Sequence, residues 1–235
     1  MSAPTQLTAI TRTGAGTPYT LTAIIKTETK LPDGNTIRGF TTSRQARDSE
    51  GRTRVETPSY CAVDKNGQPH WDGNIMVTDP VAKTQTYWHE GLSSYTKATI
   101  THMPFLRTSN PPTAQQEYRT AEQVSQAYDK ADPQIKHDSQ KVEDLGKRDI
   151  AGLEASGIRV TRTSPAGMRG NSLPLIYVEE KWVSDEYGMI LLDINDDPIF
   201  GRSTYEVTDF TPGEPDASLF QPPADYKISE HTVTQ

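Results

Sequence analysis

The stretch Tyr19-Thr20-Leu21-Thr22-Ala23-Ile24-Ile25 decides the fold class. Tyr19, Leu21, Ala23 and Ile25 fall on one side and Thr20 and Thr22 on the other, which is the two-residue period of a half-buried strand. Outward from it, Leu31-Pro32-Asp33-Gly34-Asn35 reads as a turn, because proline presets φ and glycine accepts a positive φ. A second strand is expected at about 36–47. Asp48-Ser49-Glu50-Gly51 turns again, and Arg52–Thr57 returns. The first third is therefore a meander of hairpins.

Composition agrees with strands that keep one wet face. Of 235 residues only 33% are hydrophobic, and the mean hydropathy is −0.68. Parallel strands buried on both faces need longer apolar runs. The net charge of −7 argues against a general nucleic-acid binder, which carries a basic footprint. The one basic cluster, Arg44, Arg47, Arg52 and Arg54, is broken by Asp48 and Glu50 and is expected to be a solvated hairpin tip. No run approaches the length of a transmembrane segment. Met1-Ser2-Ala3-Pro4 leads into polar sequence without a signal peptide. Both a cytoplasmic protein and a mature periplasmic or secreted chain with its signal removed fit that start. The single cysteine, Cys61, allows no internal disulfide and reads as a small buried hydrophobe.

Further along, 58–73 reads as irregular. Asn74–Thr78 and Thr84–Trp88 form a strand pair, and Ser93–Thr101 is another strand. Pro104, Pro111 and Pro112 mark a linker. Residues 114–131 read as a helix, with Thr113 as N-cap and Pro133 beyond its end. Tyr118, Ala121, Val124 and Ala127 or Tyr128 form a thin apolar stripe, which fits either a loosely docked surface helix or a lid over a concave sheet. Strands resume at Val142–Ala151 and Ile158–Thr163, flanking Gly152 and Gly157, then at Leu175–Val183, Met189–Ile194 and Arg202–Phe210. Leu219, Phe220 and Tyr226 anchor the tail. The expected organisation is a flexible leader at 1–17, a single β domain at 18–230 with a helical insert at about 113–132, and a tail at 231–235. Asp79-Pro80 and Asp197-Pro198 each precede a tyrosine by the same spacing (Tyr87, Tyr205). This echo fits two similar hairpins in two halves of one sheet, and chance similarity competes with it.

Reactive constellations are near misses. Ser94-Tyr95-Thr96-Lys97 matches S-x-x-K without the partner motifs of β-lactamase-like enzymes. Asp193-Ile194-Asn195-Asp196-Asp197 begins like a calcium loop, but Pro198 stands at position six and Thr204 at position twelve. Glu179-Glu180 are strand neighbours facing opposite sides. His89, Glu90 and His102 are the only weak metal or catalytic candidates, and zinc needs three or four converging ligands. No cofactor is called for. The aromatic residues Trp71, Trp88, Tyr95, Tyr118 and Trp182 read either as core anchors or as the lining of a concave apolar ligand site under the helix.

Two segments carry a resemblance. Leu145-Gly146-Lys147-Arg148-Asp149-Ile150-Ala151-Gly152-Leu153-Glu154-Ala155-Ser156-Gly157 is followed by Arg159-Val160-Thr161. Trp182-Val183-Ser184-Asp185 is followed later by Pro215-Asp216-Ala217-Ser218-Leu219-Phe220-Gln221-Pro222-Pro223-Ala224-Asp225-Tyr226. Together, over roughly residues 141–228, they resemble an uncharacterised exported bacterial family of acidobacterial type. They are more distantly similar to LolA/LppX/RseB-like lipoprotein-localisation β folds. The resemblance implies a mainly β fold: a curved antiparallel sheet, or open half-barrel, packed on a helical insert. It implies binding of acyl chains, lipoprotein segments or partner proteins, and it offers no catalytic residue. Three functions follow as expectations. The first is a non-enzymatic extracytoplasmic binding protein holding an apolar, lipid-like ligand or a protein segment. The second is a structural or interaction protein of the cell envelope assembling through sheet edges. The third is an enzyme with a site assembled from distant residues such as His89, Glu90 and His102.

Overall fold

The computed structural model describes residues 16–58, 62–63, 69–70, 72–91, 96–103, 114–133 and 136–233. The expectations placed on residues 1–15, Cys61, Trp71, Ser94, Tyr95, Thr113 and the prolines at 104, 111 and 112 lie outside these residues. The elements are β1 (Tyr19–Lys30), β2 (Thr36–Arg47), β3 (Thr53–Pro58), β4 (Ala62–Val63), β5 (Pro69–His70), β6 (Gly73–Asp79), β7 (Thr84–Glu90), β8 (Lys97–His102), α1 (Ala114–Ala131), β9 (Ser139–Ile150), β10 (Leu153–Ser164), β11 (Leu175–Ser184), β12 (Met189–Asp197), β13 (Gly201–Pro212), a short 3-10 helix Ala217–Phe220, and β14 (Lys227–Thr232). Twelve strands form one sheet in the order β14-β8-β7-β6-β3-β2-β1-β13-β12-β11-β10-β9, and β4 pairs with β5 alone. The sheet is open, with β14 and β9 as its ends. The mainly β class with one α-helix is as expected. The described residues belong to two compact units, residues 26–38 and 114–206 in one, and 16–25, 39–103 and 207–233 in the other.

The second unit buries Ala46, Ile75, Val77, Trp88, Ala98 and Phe220, with Leu219 and Tyr226 packed against them. The tail thus anchors as expected, and the Tyr226 hydroxyl donates to the His89 carbonyl at 2.8 Å. Of the arginine cluster, Arg44 is exposed as expected, but Arg47, Arg52 and Arg54 do not form a solvated tip. Arg47 and Arg54 are only 4% and 8% exposed. Arg47 lies 5.0 Å from the Tyr19 ring centroid and donates twice to the Thr17 carbonyl, at 3.0 and 2.7 Å. Arg54 lies 5.3 Å from the Trp88 ring, pairs with Glu56 at 2.9 Å and donates to the Leu219 carbonyl. Arg52 lies over Phe220 and pairs with Asp48. A chain poor in aliphatic residues covers its aromatics with guanidinium planes, an arrangement worth about 0.5–2 kcal/mol each.

Residues 227–232 are a further difference. The sequence placed the last of them in a tail, yet they form β14, which pairs parallel with β8. All six are exposed, so no apolar alternation announced a strand.

In the first unit, β9 and β10 close through Ala151 and Gly152, both at positive φ (52° and 80°), as a two-residue hairpin turn requires. β10 therefore starts at Leu153 and not at Ile158. Gly157 lies inside the strand because it sits opposite Trp182. A Cβ there would fall 2.6 Å from the indole. Arg148 lies 4.1 Å from the same ring. The Asp-Pro echo corresponds to two hairpin turns with the same fastening. Asp79 Oδ1 accepts from the amides of Val81 and Ala82, and Asp197 Oδ1 accepts from those of Ile199 and Phe200.

Gly157→Ala is expected to lower stability by about 1–3 kcal/mol through overpacking against Trp182. Urea unfolding followed by tryptophan emission checks this. Gly170→Ala, at a positive φ with open space around it, serves as the strain-only control.

Candidate functional site

Direct cross-strand opposition places two rows of side chains on one face of β9–β13. The first is Asp144, Ile158, Lys181, Asp193 and Tyr205. The second is Val142, Val160, Glu179, Asn195 and Ser203. Opposed residues have Cβ atoms about 4.5–5.5 Å apart. Ile158, Val160 and Tyr205 are buried, so the charged pair Lys181 and Asp193 stands in an apolar surround.

Helix α1 belongs to this face. Glu117 in its first turn and Lys130 in its last suit the helix dipole. Its half-buried positions are Gln115, Tyr118, Glu122 and Ser125, while Ala121, Val124 and Tyr128 are exposed. Of the thin apolar stripe, Tyr118 is thus on the docked side and the rest faces solvent, with Val124 50% and Tyr128 59% exposed. The polar side docks because it finds polar partners on the strands. The Lys181 Nζ donates to the Tyr118 hydroxyl at 2.8 Å and lies 5.0 Å from its ring centroid. Ser125 Oγ donates to the Asp138 carbonyl at 2.8 Å. Asp138 is itself fixed: its carboxylate accepts from Ser164 Oγ and Arg169. Burial opposes its ionisation, yet those two hydrogen bonds and the charges of Arg169 and Arg162 hold its carboxyl below the ordinary range.

Lys181 also pairs with Glu179 at 2.6 Å. Across the strand, Asp193 is 1% exposed. Its Oδ1 accepts from Asn195 Nδ2 at 2.9 Å, and its Oδ2 has no hydrogen-bond partner among the described residues. Burial pushes the Asp193 carboxyl up to about 7, aided by Glu179 and opposed by Lys181 and the Asn195 hydrogen bond. A carboxyl that titrates near neutrality beside an ammonium is a group able to change charge state under ordinary conditions.

Trp182 follows Lys181 and so faces the other side of the sheet. There its Nε1 donates to Glu180 at 2.8 Å, and Glu180 pairs with Arg159 at 2.8 Å. Trp88, in the second unit, is buried and donates from Nε1 to Glu90 at 2.7 Å. Of the expected ligand residues, Tyr118 lies at the polar rows, Trp182 lies on the opposite face and Trp88 is a core side chain. Trp71 and Tyr95 are outside the described residues.

The histidine set does not converge. His102 is opposite Thr84, five residues along β7 from His89, which is about 17 Å at strand rise, and the odd spacing puts the two on opposite faces. His89 instead contacts Asn74 and Asp72, His102 contacts Glu230, and Glu90 holds the Trp88 indole. Among the described residues no group of three or more His, Cys, Asp or Glu side chains is placed to hold a metal. Sequence reading missed Lys181, Glu179, Asn195 and Asp193 as a set. The available signal was an aspartate after Met189-Ile190-Leu191-Leu192, where an apolar strand turns charged.

Among the described residues no helix is long and apolar enough to cross a membrane. No family model matches the chain, and no curated protein matches it. Solved structures do. A chain of the Pseudomonas aeruginosa MucA/MucB complex matches with 10% identity and a TM-score of 0.37, over 92% of this chain and 59% of that one. A β-barrel-like protein of the domain of unknown function DUF1849 from Brucella abortus matches at 8% identity and a TM-score of 0.37, over 86% of this chain and 100% of that one. The LolA superfamily protein NE2245 from Nitrosomonas europaea matches at 8% identity and a TM-score of 0.29, over 87% and 90%. The likeness is one of fold alone. The present chain spans 59% of the MucA/MucB-complex chain it matches.

The raised Asp193 value fixes the sign of a pH effect. The unfolded carboxyl ionises near 3.8 and the folded one near 7, so the folded state holds the extra proton between them and stability falls as pH rises through that window. Above pH 7 the contribution is flat. The urea-unfolding free energy of the native chain minus that of Asp193→Asn is expected to decline from pH 4 to pH 7, by at most about 4 kcal/mol. A pH-independent difference would contradict the assignment.

Proposed function

We propose that this chain is a non-enzymatic, extracytoplasmic binding protein that holds an apolar ligand or a protein segment on the α1 side of β9–β13. The observation that carries this reading is the docking of α1. An 18-residue helix is fastened to the strands by the polar contacts Tyr118–Lys181 and Ser125–Asp138, while its apolar side chains point outward. The face of β9–β13 on which it docks carries Ile158, Val160 and Tyr205 together with the polar Lys181, Asp193 and Asn195, the mixture of apolar and few polar groups that a small-molecule site uses. An element held this way opens at low free energy, which suits a cover over a site that must load and unload. The extracytoplasmic part of the reading rests on the resemblance at residues 141–228.

Titration with a dansyl fatty acid tests the ligand. The intact chain is expected to take up the probe saturably with a blue shift. The Tyr118→Phe, Ser125→Ala double variant, which loosens the helix without altering a strand, is expected to exchange it faster. No saturable uptake, or an unchanged exchange rate in the double variant, would overturn the reading.

One observation favours assembly through sheet edges as a second reading. β14 is an end strand with all six residues exposed, and such an edge accepts a further strand. Light scattering across a wide concentration range would then register association that Ile228→Pro, on this edge, removes. A monomer throughout would reject edge assembly.

A further inference from the structure

Lys181 is ion-paired to Glu179 at 2.6 Å, and two further acceptors compete for its remaining donors. On one side is the Tyr118 hydroxyl of α1, already engaged at 2.8 Å. On the other is Asp193, directly opposite on the neighbouring strand, fully buried and with Oδ2 unsatisfied among the described residues. A lysine stem spans the distance between opposed strand positions without backbone movement, because the two Cβ atoms are about 5 Å apart. We propose that Lys181 is a proton-operated latch: its ammonium fastens α1 through Tyr118 while Asp193 is protonated, and turns to the Asp193 carboxylate when that group ionises, freeing the helix.

The argument is one of compensation. A buried carboxylate with one bare oxygen is costly, and a neutral carboxylic acid in the same place is much less so. When the proton leaves Asp193, the cation directly opposite it is Lys181. The other groups facing this position are poor substitutes. Glu179 carries the same sign and repels the new charge, Asn195 already serves Oδ1, and Tyr205, opposite on β13, is a neutral phenol. Asp144, on β9 in the same row, and Glu122, on the docked side of α1, add negative charge, and Arg162 is engaged 5.0 Å from the Tyr177 ring. Charge-assisted bonds to a carboxylate outweigh one to a neutral hydroxyl, so the ammonium, already on Glu179, is drawn between the two carboxylates and off Tyr118. The helix then keeps the Ser125–Asp138 bond and the contact of the Tyr128 ring with His137, centroids 5.5 Å apart, the imidazole being the other titratable group against it. The titration near 7 puts the transition inside the ordinary working range.

This inference deepens the reading of α1 as a cover and rests on it for its purpose, but its test involves no ligand. Hydrogen exchange of amides 114–131 in the full chain, expressed as protection factors at pH 5.5 and pH 8.5, reads the latch directly. Protection is expected to be roughly tenfold greater at pH 5.5, the effect of one charged hydrogen bond. Asp193→Asn is expected to keep high protection at both values. Tyr118→Phe, a change at the helix surface that leaves the strands intact, is expected to give low protection at both. Equal protection of the native helix at the two pH values overturns the latch, as does a pH difference that survives in Asp193→Asn or in Tyr118→Phe. A chain that takes up no dansyl fatty acid yet shows the expected exchange pattern would lose the binding reading and keep the latch.

Discussion

A buried indole whose N–H is held by a glutamate two residues away on the same strand, with an arginine across its face, is the interaction on which both units depend. In one, Trp88 donates to Glu90 and lies under Arg54. In the other, Trp182 donates to Glu180 and lies under Arg148. The arrangement solves two problems together. A buried indole needs an acceptor for its one donor, and the carboxylate that supplies it needs cations. Burial opposes ionisation of Glu180, but the hydrogen bonds from Trp182 and Arg159 and the charges of Arg159 and Arg148 keep its carboxyl below the ordinary range. Gly157 lets that indole lie against β10, where a Cβ would fall 2.6 Å from it.

This explains what was legible. Period-two alternation depends on local sequence only, so Tyr19, Leu21 and Ala23 turn out buried in β1, and the helix runs over 114–131 as read. The arginine cluster was misread because interrupted charge resembles a wet hairpin tip. Whether a guanidinium is solvated or laid over a ring depends on an aromatic far away in sequence: Phe220 for Arg52, Trp88 for Arg54. β14 was missed for a related reason. Its pairing with β8 is a backbone matter between segments about 130 residues apart, and exposed side chains carry no record of it.

The site was less legible than the fold. Tyr118 was named for its aromatic ring, but it is its hydroxyl that meets Lys181. Ala121 and Val124 share its stripe in sequence, yet both face solvent. The strands beneath offer an ammonium and a fixed carbonyl in their place, and unsatisfied polar groups are more expensive to bury than two small apolar side chains are to expose. Asp193 was visible only as a failed calcium loop. Its neighbours become Lys181 and Tyr205 only once β11 and β13 lie on either side.

The same comparison explains why α1, among the elements of its unit, is the one suited to move. The strands are held by ladders and by the Trp182 box, whose partners are satisfied and would all be lost together. The helix adds little apolar burial, and its neutral and charged hydrogen bonds contribute about 1–3 kcal/mol each. Its attachment is therefore small enough to be reversed by a change of one charge beneath it, whereas a helix docked through Val124 and Tyr128 would be indifferent to the protonation of any residue in the rows. A polar docking face is thus the condition that makes the cover responsive, and the exposed apolar stripe is its consequence.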